Sequence, residues 1–173
     1  AAGTAGAGPG TRTETGTRVH IVARPGMERW FAPERVAQLA AEYTALHPTP
    51  ILVNGTRVNP PVDLFTGDRG HRAAARVAYC QDEFGFTPID AFELSVPQAG
   101  LRGIAYVRPV GGDLVGRTGH RVYVKGLLVG EVPELLPEWA YFVRTVVIAD
   151  GLTPTASRES VIRNDLLTEV AEA

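Results

Sequence analysis

The sequence is poor in the residues that would hold a fold together by cross-links or metals. Cys80 is the only cysteine in 173 residues, so an internal disulfide is impossible, and no other soft ligand stands near it for a cysteine metal site. The four histidines, His20, His47, His71 and His120, lie far apart and lack ligand spacing such as H-x-x-x-H, which leaves no metal centre to build on them. No G-x-S-x-G elbow occurs, so a nucleophile triad has no anchor. An excess of one charge is missing as well. Lys+Arg 17 against Asp+Glu 19 gives a formal net charge of −2, which offers no footprint for nucleic acid or an anionic membrane. No apolar run reaches the roughly 18 residues of a membrane span, and the start lacks the charged-then-apolar pattern of a secretory signal.

What is present is an ordinary globular composition, 45% hydrophobic and 21% charged, in a chain long enough for one well-buried α/β domain or two small ones. The unpaired cysteine fits a reducing compartment. Together with a start at Ala1 in place of a methionine, it leads us to expect an interior piece of a longer cytoplasmic protein.

Residues 1–16 are small and glycine-rich without periodicity and read as a flexible lead-in. Gly6, Gly8 and Gly10 alternate as in a phosphate loop, but no strand precedes them and no helix follows, so a linker is the better reading. From Thr17 to Arg24 the chain alternates with Thr17, Val19, Ile21 and Ala23 on one side, which predicts a half-buried strand. Pro33 to Leu46 places Val36, Leu39, Ala40, Tyr43 and Leu46 at helical spacing, with proline suited to the first turn. Asn54-Gly55 between the triplets at 51–53 and 56–58 predicts a hairpin. A second helix is expected over His71 to Phe84, with Ala73, Val77, Cys80 and Phe84 sharing a face. Three strand-like runs follow, Ile89 to Val96, Leu101 to Arg108 and His120 to Val129, suggesting an antiparallel meander. A strand from Val143 to Ala149, a turn at Asp150-Gly151 and a closing helix from about Ser157 complete an α+β order. The acidic runs Asp82-Glu83 and Glu131-Glu134-Glu138 read as solvated edges. Trp30 and Phe31 either staple the entry to the first helix or contact another domain.

The stretch His120 to Val161 resembles a signature region of the ninety-kilodalton heat-shock chaperone family, called HtpG in bacteria. Leu136-Pro137-Glu138-Trp139, Phe142-Val143-Arg144, Val146-Val147, Leu152 and Ser157-Arg158-Glu159 fall in register with its pattern without a gap. A weaker match over Gly16 to Ile51 looks like the closing strand, helix and strand of the family's nucleotide-binding domain, whereas about 59–100 matches poorly. The resemblance implies a division into a lead-in at 1–16, the end of a nucleotide-binding domain at 17–58, and the first part of a middle domain at 59–173. It implies for that middle part an α/β sandwich of the ribosomal-S5-domain-2-like type with a mostly antiparallel sheet.

It also implies chemistry. In the family the arginine of S-R-E, here Arg158, reaches from the middle domain to the γ-phosphate of ATP in the neighbouring nucleotide site. A guanidinium delivered from a separate element suits the charge that spreads over the terminal oxygens in phosphoryl transfer. Ser157 is the expected N-cap of the helix that would start there. Thr155 stands where the family usually has asparagine, and Ile162 where glutamine is common, so both positions lose amide groups. The implied cofactor is ATP with Mg, its main site outside these residues. The implied partners are unfolded or client proteins, the protein's own nucleotide-binding domain, and a second copy joined through a region beyond Ala173. Trp139 and Phe142 are candidates for presenting apolar surface to clients, although their spacing of three on a short helix favours a core role for at least one. From local sequence alone Arg158 also reads as a solvated residue paired with Asp150 or Glu159. Two alternatives stay open: a nucleotide-independent protein-binding module, and the second domain of a mismatch-repair or gyrase-like ATPase, where the basic residue is normally a lysine.

Overall fold

The computed structural model describes residues 15–109, 119–130, 132, 135–156 and 160–162. Helix α1, Pro33–Thr44, begins with Pro33 where its missing N–H costs nothing. It ends two residues earlier than its apolar spacing suggests, and Ala45 and Leu46 instead lead into the hydrophobic core. Strands β1, Leu52–Val53, and β2, Thr56–Arg57, form the expected hairpin. Asn54 and Gly55 both take positive φ, 50° and 83°, as a type I′ turn requires. Asn59, fully buried, fastens this hairpin. Its Oδ1 accepts from the Ile51 N–H at 2.7 Å, and its Nδ2 donates to the carbonyls of His47 (3.1 Å) and Thr49 (2.9 Å).

Helix α2, Arg69–Phe84, starts two residues before the predicted His71 because the Asp68 side chain caps it, accepting from the His71 N–H at 2.9 Å. Gly85 in the left-handed conformation closes it. Tyr79, Cys80 and Phe84 face the core, while Ala73 is exposed. Strands β3, Asp90–Val96, β4, Leu101–Val107, β5, Arg121–Val124, β6, Leu127–Leu128, and β7, Val143–Ala149, form one sheet in the order β3-β4-β7-β5-β6. Three of its four pairings are antiparallel and β5 with β7 is parallel, so the mostly antiparallel α+β fold stands.

Three expectations change. The meander stops after β4, because β7 inserts between β4 and β5 and takes both as partners. The third run folds back on itself at Lys125-Gly126, both at positive φ, giving the short β5–β6 hairpin. The segment Thr17 to Arg24 forms no strand pairing among the described residues, and its Val19 and Ile21 stand 70% and 67% exposed. Alternation supplies a strand's side-chain pattern but not a neighbour for its backbone.

Alternation along β5 and β7 divides the core between the two faces of the sheet. On one face Tyr123 and Val146 pack with Tyr79, Cys80 and Phe84 of α2 and with Leu64. On the other, Val122, Val124, Val147 and Ala149 pack with Val129, Val132, Leu135, Leu152 and Val161 from connecting segments. The end of α1 lies against β6. Arg121 on β5 is buried and pairs with Glu83 of α2 and, at 3.8 Å, with Glu42 of α1, so a charge cluster ties both helices to the sheet. Glu83 is therefore no solvated edge: burial raises its carboxyl above the usual range, and Arg121 opposes that. Among the described residues no helix is long and apolar enough to cross a membrane.

Candidate functional site

Two places flank strand β7, one past each end, and its seven residues set them about 20 Å apart. Past its C-terminal end the chain turns at Asp150-Gly151. Asp150 Oδ1 accepts the Lys125 N–H at 2.7 Å, and the Gly151 N–H donates to the Ala99 carbonyl at 3.1 Å. A Cβ at Gly151 would collide with that carbonyl, so only glycine lets the turn lie this close to the β3–β4 connection. Leu152 then drops into the core.

Beyond it Pro154 and Val161 form an antiparallel bridge. The Ile162 N–H donates to the Thr153 carbonyl at 2.8 Å and the Thr155 N–H to the Ser160 carbonyl at 2.9 Å. With Leu152 and Val161 both in the core, the base of the loop 155–160 is clipped to the sheet. The Thr155 hydroxyl donates to the same Ser160 carbonyl at 3.2 Å, so it braces the loop from within. Ser160 to Ile162 are not helical. Over these three residues bridge pairing stands in place of the expected helix. Ser157 and Arg158 themselves lie outside the described residues, as do 163–173. Thr155 and Ile162 are brought to the two arms of one clip.

Before β7 the chain makes a 3-10 turn, Glu138–Ala140, preceded by Pro137. Leu135 and Ala140 supply its buried contacts, which leaves Trp139 71%, Tyr141 75% and Phe142 39% exposed. The expectation that Trp139 or Phe142 joins the core fails here, because a single 3-10 turn has no continuous helical face to put them on. Tyr141 and Phe142 meet edge to face at 5.6 Å. The turn is held from below: Arg144, buried, donates through Nη1 to the carbonyls of Tyr141 (3.1 Å) and Val143 (2.8 Å), and the Arg108 N–H donates to the Phe142 carbonyl at 3.0 Å. The Arg108 guanidinium lies over Phe86 at 5.7 Å, and Ile89, just before β3 and bonded to the Val107 carbonyl, is also exposed. The sequence reasoning missed Tyr141 and Arg144. An aromatic triplet interrupted only by alanine, just after Pro137-Glu138 and before a β-branched run, was the available signal.

Between the two ends, Thr145 at the middle of β7 is fully buried, its hydroxyl 3.0 Å from His120 Nδ1. Burial, helped by the nearby Arg144, pushes the His120 imidazole down from 6.5 to about 4. His120 is therefore neutral at pH 7 and acts as a packed hydrogen-bond partner.

No family model matches the chain. An alignment of 171 residues, taking in 92% of the chain, is 24% identical to the chaperone protein HtpG of Oleidesulfovibrio alaskensis (strain ATCC BAA-1058 / DSM 17464 / G20) and covers 26% of that protein. The chain is thus similar to HtpG along nearly its whole length while spanning about a quarter of the curated relative it matches.

Proposed function

We propose that this chain is a segment of an ATP-dependent, cytoplasmic molecular chaperone, in which residues 59–173 are the first part of a middle domain, 17–58 close the nucleotide-binding domain and 1–16 lead in. In this reading Arg158 contacts the ATP γ-phosphate and couples hydrolysis to rearrangement of client proteins. The observation that carries it is the similarity to HtpG along 92% of the chain, with the residues on either side of Ser157-Arg158-Glu159 clipped together by the Pro154–Val161 bridge and the Thr155–Ser160 bond.

A clipped base suits a residue that must reach a ligand held elsewhere, because catalysis by a charge depends on its placement to within a fraction of an ångström. The described residues fit one arm of a nucleotide site and not a cradle: the Thr155 hydroxyl is engaged inside its own loop. ATP with Mg, held by the parent's upstream residues, supplies the anhydride to be cleaved. This chain contributes the guanidinium of Arg158 and the rigid base beneath it, with Thr155 and Ile162 shaping the loop. The exposed Trp139 and Phe142, with Tyr141 beside them, form the client-facing surface, and dimerisation belongs to a region of the parent beyond these residues.

The test is steady-state ATP turnover of the full-length parent against its Arg158→Ala variant, with nucleotide affinity measured in parallel. We expect turnover to fall about tenfold or more, at least 1.4 kcal/mol of barrier, with affinity nearly kept. Unchanged turnover would favour the second reading, a protein-binding module without nucleotide dependence, which the exposed aromatic turn supports by itself.

A further inference from the structure

A half-open cavity of about 220 Å³ lies between the C-terminal end of α1, the β1–β2 hairpin, the connector 61–66 and the sheet. Leu46, Pro48, Phe65 and Ile148 give it apolar walls, and two guanidiniums, Arg57 and Arg102, border it. Arg57 is fixed by a bond from Nε to the Asn59 carbonyl at 2.9 Å, and its Nη groups have no protein acceptor among the described residues. Arg102 stacks over the Phe65 ring at 4.8 Å, and its guanidinium makes no hydrogen bond or ion pair among the described residues. Asp63 is the one acid among the lining residues. Both its oxygens are already engaged by Thr66, whose N–H donates to Oδ1 at 2.8 Å and whose hydroxyl donates to Oδ2. Two arginines less one aspartate leave the lining with a net charge of +1 when His47 is neutral.

Guanidinium forks with unused donors beside an apolar floor match a planar anion on a hydrophobic body, since the fork fits a carboxylate and the flat stack on Phe65 accepts an aromatic neighbour. The size agrees: about 220 Å³ in a pocket half open to solvent has room to seat a phenyl ring with its carboxylate arm toward the rim. A net charge of +1 balances a monoanion better than a doubly charged phosphate. We propose that the cavity binds a small aromatic or branched apolar monocarboxylate, presented either as a free acid or as the C-terminal residue of a peptide. Such a ligand bridges the segment 45–66 to strands β4 and β7. The proposal stands apart from the chaperone reading, because neither arginine belongs to the loop 155–160 or to the aromatic turn.

The test is an amide NMR titration of the full chain with phenylacetate, phenylacetamide, and a Gly-Phe dipeptide with a free or amidated C-terminus. Saturable shifts at Leu46, Phe65, Arg102 and Ile148 are expected with phenylacetate, and about tenfold weaker binding with the uncharged amide. The double variant R57Q/R102Q should lose about tenfold or more in affinity, while an unchanged spectrum elsewhere shows that it is folded. Tighter binding of the dipeptide than of phenylacetate assigns the site to chain ends, and the reverse order assigns it to free acids. Equal binding of the acid and its amide, retained affinity in the folded double variant, or no saturation by about 10 mM ligand, near −3 kcal/mol, overturns the proposal.

Discussion

The two ends of β7 are built on opposite plans. At the C-terminal end nearly every group turns inward: Asp150 holds the β5–β6 turn, Gly151 abuts Ala99, Leu152 and Val161 enter the core, and Thr155 closes on Ser160. At the N-terminal end the backbone is equally well tied, through Arg144 and Arg108, but the side chains of Trp139, Tyr141 and Phe142 face water. Both ends therefore have an ordered backbone, and the difference lies in where the side chains go. The first arrangement suits a task that needs one group in one place. The second suits a task that needs apolar area and tolerates varied partners.

The largest effect is expected from breaking the inward end at its tightest point. Gly151→Val forces a branched side chain against the Ala99 carbonyl, and with no slack in the β3–β4 turn we expect a loss of about 3 kcal/mol, or roughly 10 °C in Tm for a chain of this size. A thermal melt decides it, and a Tm within a degree or two of wild type would show that the turn is not constrained as described. A comparable substitution in the outward turn, at Trp139, should lack this cost.

Next in size is a pH effect from the strand's middle, which joins the two ends. The His120 imidazole titrates near 6.5 when unfolded and near 4 when folded. The folded state thus holds its full contribution above pH 6.5 and loses it as pH falls toward 4, by roughly 2 kcal/mol at pH 5. Glu83, with its raised carboxyl, acts in the opposite sense, because its protonation favours the folded state. His120→Gln keeps a partner for the Thr145 hydroxyl and removes the titration, so the difference between wild type and variant isolates the histidine. Urea midpoints at pH 7 and pH 5 should converge for the variant and separate for wild type. Equal separation in both would assign the pH dependence elsewhere.

How legible each end was follows from the range of its interactions. The hairpin at Asn54-Gly55 and the span of α2 could be read closely, because turn chemistry and capping act over a few residues. The insertion of β7 between β4 and β5 could not, since the two neighbours are 14 residues apart between Val107 and Arg121 and nothing local in either names the third strand. The same gap explains Glu83, which looked like a surface acid until the sheet brought Arg121 to it from 38 positions away. For the loop, Thr155 and Ile162 were singled out by resemblance, yet their roles as facing arms of a clip depend on the Pro154–Val161 bridge. At the aromatic turn, helical periodicity was applied to a segment too short to have a period, so one of Trp139 and Phe142 was assigned inward and Tyr141 was passed over.

The smallest effect on stability and the sharpest on binding is expected from that same turn. Trp139 and Tyr141 contribute little to the packed core, so Trp139→Ser with Tyr141→Ser should leave Tm within about 2 °C of wild type, as exposed substitutions usually do. Their removal nevertheless deletes two large aromatic surfaces, each of about 150–250 Å² when fully covered. After the cost of ordering a partner, a loss of about tenfold in affinity for an unfolded protein is a reasonable measure, near 1.4 kcal/mol. The comparison needs three proteins side by side: wild type, the double variant, and Thr155→Val at the inward end as a control that removes the brace without touching the aromatic turn. If the double variant alone loses binding to a chemically unfolded protein, the outward end is the binding surface. If it binds as wild type does with Tm unchanged, the exposed aromatics are incidental, and the difference between the two ends is one of packing without a division of labour.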